Sequence, residues 1–290
     1  MANLLKGAPV AAALTDKLTA QVILLQARGI SPVLAILRVG ERPDDLAYER
    51  GAMKRCEKIG VAVKNFALPA DCTQAELLRA IDRINRDPEI HGCLMFRPLP
   101  AQIDEPSACS ALAPEKDVDG ITGGSMNKVF SGKGTGFAPC TAQACLEILD
   151  HYGYDPTGER IAVVGRSLVI GKPVAMMLLN RNATVTICHS KTKNLPACCR
   201  EAKILIAAVG RAEMINESYV SPGQIVIDVG INLNDKGNLC GDVQVDRVGE
   251  VVDAITPVPG GVGTVTTTVL AMHVIQAAER SEIRKNAQPV

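Results

Sequence analysis

Between residues 160 and 192 the sequence sets a glycine turn and a group of cationic and hydroxyl side chains against two apolar runs. Arg160-Ile161-Ala162-Val163-Val164 leads into Gly165-Arg166-Ser167, and Gly171-Lys172-Pro173 follows. A strand that turns sharply into a helix N-terminus exposes backbone N–H groups and the positive end of the helix dipole, a setting that favours phosphate. The spacing departs from Gly-x-Gly-x-x-Gly, so on the motif alone an ordinary strand-to-helix turn and a nucleotide site both stay open. The next run ends Thr186-Ile187-Cys188-His189-Ser190-Lys191-Thr192. NAD sites usually place an acid at this strand end to bind the ribose 2′-hydroxyl, whereas NADP sites put polar or cationic groups there. No acid is present. Arg166, Ser167, Ser190 and Lys191 have the chemistry to hold a 2′-phosphate through charge-assisted hydrogen bonds, against the alternative of a solvated polar loop. The pattern favours NADP.

The elements that must position these residues follow from periodicity. Residues 10–28 carry apolar positions at helical spacing and stop at Gly29. Val33–Leu37 reads as a buried strand, Pro43-Asp44-Asp45 opens a helix that runs to Gly60, and residues 61–68 read as extended. Leu77, Leu78, Ile81 and Ile84 mark one helix face, and Gly92–Phe96 is a further strand ended by Pro98-Leu99-Pro100. Residues 121–138 hold five glycines without periodicity and read as a long loop beside the site and the domain junction. Strands at 160–165, 184–188, 204–209 and 225–229 are continuous β-branched runs suited to burial on both faces. A last helix, from Thr266 to about Arg284, is expected to cross back onto the first domain. Strands alternating with helices imply βαβ units and a mainly parallel sheet. The fold class is therefore α/β: an N-terminal βα substrate domain over 1–140, completed by the helix 266–290, and a Rossmann-type doubly wound domain over 141–265.

Composition narrows the function. The 290 residues carry 31 basic and 31 acidic side chains, a formal charge of zero, which speaks against a nucleic-acid or polybasic membrane binder. Aromatic residues are 3% and Trp is absent, so base-stacking platforms are not expected. The ten cysteines are scattered; Cys140 and Cys145 lie five apart and Cys198 and Cys199 are adjacent, neither a zinc-site spacing. They read as buried reduced thiols, with neither a disulfide framework nor a metal site. The N-terminal apolar stretch is broken by Thr15-Asp16-Lys17, and no stretch reads as the ~20 apolar residues of a membrane span, so a cytoplasmic protein is expected.

Taken together, several blocks resemble the methylenetetrahydrofolate dehydrogenase/cyclohydrolase family over nearly the whole chain. They are Val163–Ser167 with Gly171 and Pro173, Lys116-Asp117-Val118-Asp119-Gly120, Pro139-Cys140-Thr141, Ile227–Asn232, and, most specific, Thr256-Pro257-Val258-Pro259-Gly260-Gly261-Val262-Gly263. The resemblance implies a cleft between domains where reduced folate and NADP meet, and a homodimer formed through the cofactor domains. It implies oxidation of methylenetetrahydrofolate to methenyltetrahydrofolate, then hydrolysis to 10-formyltetrahydrofolate. It makes Tyr48 the ring that stacks on the folate and Asp119 the acid that pairs with the pterin amino and ring N–H groups, the two catalytic candidates. A carboxylate suits that edge because it offers two acceptors in one plane; in isolation Asp119 reads as an ordinary turn acid. Pro259, Gly260 and Gly261 would bring backbone close to substrate, and Gly165, Arg166, Ser167 and Ile231 match cofactor contacts.

The sequence also departs from the family. The lysine usual four residues after the tyrosine is Ala52, the glutamine that usually partners it is Phe96, and the proline usual after Gly263 is Thr264. Ala52 and Phe96 are thus counted among the substrate-site residues. Hydration needs an activated water and proton transfer, whereas hydride transfer mainly asks for orientation of two bound molecules. The expectation is a dehydrogenase whose cyclohydrolase activity is weak or lost. Two alternatives stand beside it. One is a bifunctional enzyme with a substitute cation such as Arg97 or Arg50; Lys54 points roughly 160° away from the missing lysine's direction. The other is a catalytically silent protein that binds folate and NADP.

Overall fold

A computed structural model describes residues 1–287, with side chains as far as Ile283. The chain divides into two compact units: residues 13–140 with the segment from Thr267 onward, and residues 1–12 with Thr141–Thr266.

The first-half unit is built on three parallel strands, with Val33–Val39 at the centre between Ala62–Leu68 and Gly92–Met95. The central strand is buried along its whole length. Alternation sends Val33, Ala35, Leu37 and Val39 to one face, where they pack with Cys93, Met95 and the stripe Leu77, Ala80, Ile81 and Ile84 of helix Gln74–Arg86. That helix starts where the sequence tells it to. Thr73 accepts the Glu76 N–H, and the Glu76 carboxylate accepts the Thr73 N–H, so two orphan donors are satisfied reciprocally. The opposite face of the sheet carries Leu34, Ile36 and Arg38 towards helix Pro43–Ile59, as an Arg38–Glu49 ion pair shows. That helix has Pro43 in its first turn and ends at Gly60 in the left-handed conformation, with φ 94°.

The second-half unit holds a six-stranded, wholly parallel sheet in the order Asn3–Leu4, Ala254–Ile255, Ile225–Asp228, Ile204–Ala207, Arg160–Val164, Thr184–Cys188. Apart from the added edge strand Asn3–Leu4, this is the doubly wound order 2-1-3-4-5, whose ligand crevice lies at the carboxyl ends of the first and third strands. Here those are Arg160–Val164 and Ile204–Ala207. Helices Cys140–His151, Gly171–Leu179 and Leu195–Arg200 accompany the sheet, and a small hairpin pairs Asn232–Leu233 with Leu239–Cys240.

The structure corrects three expectations. Residues 121–138 are not one long loop: Gly123–Ser131 is a helix, capped by Thr122, whose side chain accepts the Ser125 N–H, and closed by Gly132 at φ 71°. Residues 1–12 group with Thr141–Thr266 and not with the first-half unit, because Asn3 and Leu4 pair with Ala254 and Ile255. Helix Gly7–Ala27 does reach the length and apolarity of a membrane-crossing segment, with 21 residues and a mean hydropathy of 1.3. Its buried stripe of Val10, Leu18, Val22 and Leu25 is what a core helix shows, and such helices pass the same test. The last helix is Thr266–Ala287; residues 288–290 of the expected span lie outside the described residues. All ten cysteines are free thiols, nine of them buried.

Candidate active site

In the first-half unit, Tyr48 rises from helix Pro43–Ile59 and meets Phe96, which follows strand Gly92–Met95. Their ring centroids lie 6.0 Å apart at 84°, an edge-to-face contact. Ala52 sits one turn after Tyr48 and is fully buried. Of the cations expected to replace a lysine there, Arg50 and Lys54 are exposed, and Arg97 pairs with Glu105 at 3.6 Å. Of the three, Arg97 is near enough to act on the Asp119 carboxyl. The cation that does occupy that helix face is Arg38, whose Nε lies 2.8 Å from Glu49 Oε2. Sequence reasoning passed over it, although one arginine inside the apolar run Val33–Val39 is itself a signal, since charged residues are seldom buried unless paired.

Asp119 lies in the turn after Cys93–Asp117, where a parallel bridge joins those two residues. Asp117 is the turn acid: its Oδ1 accepts the Ile121 N–H at 3.0 Å and its Oδ2 the Thr122 N–H at 2.7 Å. Asp119 is half-buried and meets Cys140 instead. Burial lifts its carboxyl from 3.8 to about 6, opposed by the hydrogen bond from Cys140, raised further by the Asp117 charge and opposed by Arg97. The Cys140 thiol is held protonated, because burial and the Asp119 charge push it well above its usual value. Behind it, His273 Nδ1 lies 2.8 Å from Val118 O, so this nitrogen carries the proton, and burial brings the ring down to about 4. His273 is therefore neutral at neutral pH, a fixed donor under the turn that carries Asp119. A cavity of about 890 Å³ in this unit is lined by Arg86, His91, Lys116, Lys128 and Arg280 among others, and its lining does not include Tyr48, Ala52, Phe96 or Asp119.

In the second-half unit, Gly165 ends strand Arg160–Val164 at φ 133°, with its N–H on Cys188 O at 2.9 Å. A side chain there would collide with Ala208 O, and one on Gly171 with Gly165 O, so strand end and helix start approach as only glycines allow. Ser167 shapes the entry to helix Gly171–Leu179: its Oγ accepts the Ile170 N–H at 3.2 Å and its carbonyl the Lys172 N–H at 3.0 Å. Val164 pairs with Cys188, which sets Arg166 and Ser190 each two residues beyond neighbouring strand ends. Arg166, Ser167, Ser190 and Lys191 are all exposed. A bare-backbone turn under a helix N-terminus, flanked by cationic and hydroxyl groups, fits a phosphorylated dinucleotide.

A cavity of about 210 Å³ brings Ile231 together with Pro257–Thr264, including Pro259, Gly260 and Gly261. Ile231 is 66% exposed. Two buried acids that the sequence reading did not single out as site residues hold the neighbouring loops. Asp228 accepts the N–H groups of Gly230, Asp242 and Val243, each at 3.0 Å, and Asp242 accepts those of Val209, Gly210 and Arg211. Asp242 also accepts the Asn232 side-chain amide at 2.9 Å. Burial lifts the Asp228 carboxyl from 3.8 to about 7 against these three backbone bonds.

A doubly wound unit with this turn at its switch point, in a chain whose other α/β unit carries a half-buried acid, has the parts that a dinucleotide-dependent oxidoreductase needs. Residues 5–119 match the tetrahydrofolate dehydrogenase/cyclohydrolase catalytic domain and residues 139–282 the NAD(P)-binding domain of the same family. The chain belongs to the tetrahydrofolate dehydrogenase/cyclohydrolase family. It is 54% identical over 281 residues to the bifunctional protein FolD of Carboxydothermus hydrogenoformans, covering 96% of this chain and 98% of that one. The crystal structure of the bifunctional FolD from Campylobacter jejuni superposes with a TM-score of 0.93 at 35% identity, over 97% of this chain and 99% of that one. That of the Trypanosoma brucei methylenetetrahydrofolate dehydrogenase-cyclohydrolase, complexed with NADP cofactor and inhibitor, gives 0.90 at 34%, over 97% and 98%.

Proposed function

We propose that this chain oxidises 5,10-methylenetetrahydrofolate with NADP and also hydrolyses the methenyl product to 10-formyltetrahydrofolate. The observation that carries the reading is the division between Asp117 and Asp119: the turn donors are taken by the first acid, while the second, half-buried and bonded to Cys140, keeps acceptor lone pairs for a ligand. In this reading residues 13–140 form the folate-binding unit, in which Tyr48 stacks on the pterin-bearing substrate and Asp119 accepts from its donor edge. With its carboxyl at about 6, Asp119 is mainly ionised at neutral pH and presents acceptors only. Ala52 and Phe96 make the neighbouring wall apolar. In the second-half unit Gly165, Arg166, Ser167, Ser190 and Ile231 hold the cofactor, while Pro259, Gly260 and Gly261 offer bare backbone to the ligands. NADP, when bound, supplies the hydride acceptor.

Loss of hydrolysis, expected from Ala52 and Phe96, does not carry forward. The Carboxydothermus relative, at 54% identity, bears the name of a bifunctional protein. The buried cation at Arg38 supports the same reading, because the face next to Ala52 is not without charge. A homodimer formed through the cofactor-binding units belongs to this proposal, and sedimentation tests it. The activity is tested by NADPH formation from methylenetetrahydrofolate and by enzyme-dependent decay of methenyltetrahydrofolate absorbance. Binding of both ligands without NADPH formation would make the chain a silent carrier and refute the proposal.

A further inference from the structure

Helix Pro43–Ile59 buries Asp45, Glu49, Ala52, Cys56 and Ile59. With 3.6 residues per turn, Ala52 falls about 40° around the axis from Tyr48 and Glu49 about 100°, so Ala52 lies between the ring and the carboxylate. Arg38 meets that carboxylate at 2.8 Å, and its Nη1 donates to Gly40 O at the end of the strand. The two side chains are 11% and 10% exposed. Leu37 pairs with Met95, which sets Arg38 beside Phe96 on one face of the sheet. Phe96 in turn meets Tyr48. The ring, the small residue and the ion pair therefore share one patch at the carboxyl ends of parallel strands, where open α/β sheets bind ligands. Packing alone does not call for the pair, since replacing a buried ion pair by apolar side chains is often neutral or stabilising.

We propose that the Arg38–Glu49 pair supplies the charged groups of the hydrolytic step in this chain, in place of the lysine that Ala52 displaces. The inference rests on the bifunctional reading above. Arginine stays protonated at any working pH and cannot shuttle a proton. The roles therefore divide: Arg38 orients the Glu49 carboxylate, and Glu49 moves the proton. The oxygen of a water bonds to the methenyl carbon, the C=N electron pair moves to nitrogen, and Glu49 takes one proton from the water. The remaining hydroxyl proton leaves to solvent as the C=O bond forms. The other C–N bond breaks with its electron pair on nitrogen, and Glu49 returns its proton there. One water is consumed, one formyl group forms, and one proton is released.

The test reads the ratio of methenyltetrahydrofolate hydrolysis to NADP-dependent oxidation, which does not depend on the fraction of molecules folded. Glu49→Gln and the apolar double variant Arg38→Leu/Glu49→Val are expected to lower the ratio about a hundredfold or more, the scale of a lost proton-transfer group. Arg38→Lys should keep part of it, and added guanidinium ion at sub-denaturing concentration should restore part of it to Arg38→Ala. A pair with a purely structural role would lower both activities together and leave the ratio in place. The double variant keeps the test open if Glu49→Gln leaves an unpaired guanidinium that prevents folding. An unchanged ratio in either variant overturns the proposal and leaves the bifunctional reading standing. Absence of enzyme-dependent hydrolysis by the unmodified protein overturns both.

Discussion

Asp117 and Asp119 stand two residues apart in one turn and serve it differently. Asp117 accepts the N–H groups of Ile121 and Thr122 at 3.0 and 2.7 Å, which fixes the turn. Asp119 takes no donor from the turn and rests against Cys140, its carboxyl lifted by burial to about 6. One acid builds the platform on which the other is presented. Helix Gly123–Ser131 begins at Thr122, so the Asp117 bond also anchors that helix start.

The two acids should separate on substitution. Asp119→Asn replaces one acceptor oxygen by a donor facing the donor edge of the folate, while NADP binding persists. A hydrogen bond to a charged group is worth about 1.5–3 kcal/mol, so reduced-folate affinity should fall about ten- to a hundredfold. Asp117→Asn should instead lower the melting temperature, since one buried backbone donor loses its acceptor. Titration of both ligands and a thermal melt distinguish the two; unchanged folate affinity in Asp119→Asn would remove that residue from the site.

Cofactor choice rests on the strand ends. Arg166 and Ser190 stand beyond the paired ends Val164 and Cys188, with no acid among Ser190, Lys191 and Thr192. Arg166→Ala should weaken NADP about ten- to a hundredfold and NAD much less, because only NADP carries the 2′-phosphate that a guanidinium grips. Dissociation constants for the two cofactors, measured on both proteins, decide it. Equal weakening of NADP and NAD would show that Arg166 acts on a part they share.

Much of this was legible in the sequence, for physical reasons. Val33–Leu37 and Ile161–Val164 are buried on both faces and write that into unbroken apolar runs. Helix Gly123–Ser131 was not legible, because Gly123 and Gly124 hide the start that Thr122 caps. Nor was the placement of residues 1–12, which is set by a two-residue strand pairing with residues some 250 positions away. Sequence spacing offers Arg97 and Arg50 as replacement cations, neighbours in sequence of Phe96 and Ala52. The buried cation on the helix face of Ala52 is Arg38, brought there by the packing of strand on helix, which local spacing does not record.

Asp228 makes stability depend on pH. Its carboxyl is lifted from 3.8 to about 7, chiefly by burial, so between roughly pH 4 and 7 the folded state holds a proton that the unfolded chain has lost. Stability from this group is fully present below the unfolded value and is lost as pH rises through the folded one. Asp119, lifted to about 6, acts in the same direction. His273, lowered from 6.5 to about 4 by burial, acts oppositely between those values and offsets about one of the two acids, which leaves a net decline. Glu76, Asp87 and Asp155 are also lowered and act oppositely, but all three are exposed or partly exposed at the surface and weigh less. The melting temperature should therefore decline from about pH 5 to pH 7, and Asp228→Asn should flatten that decline while lowering stability at every pH. A variant with the slope intact would assign the pH dependence elsewhere.

Ala52 and Arg38 should prove coupled in stability, whatever the catalytic outcome. Ala52 is fully buried on the helix face that carries Glu49, which already balances Arg38. Ala52→Lys adds volume to a packed face and a second positive charge to a neutral pair. Overpacking alone costs about 1–3 kcal/mol, and an uncompensated buried charge adds to it. Arg38→Leu alone leaves Glu49 buried without its partner, a change that typically costs about 3–5 kcal/mol. Joined, the two substitutions restore one cation against one carboxylate, with the new ammonium three residues from Glu49 on the same helix, a spacing at which side chains meet. The double variant should therefore be more stable than the sum of the single changes by at least about 1 kcal/mol, within the range measured for residues in contact. Urea unfolding of the four proteins closes the cycle. Additive effects would mean that a side chain at position 52 does not reach Glu49, and that the Arg38 pair lies apart from the place the usual lysine would fill.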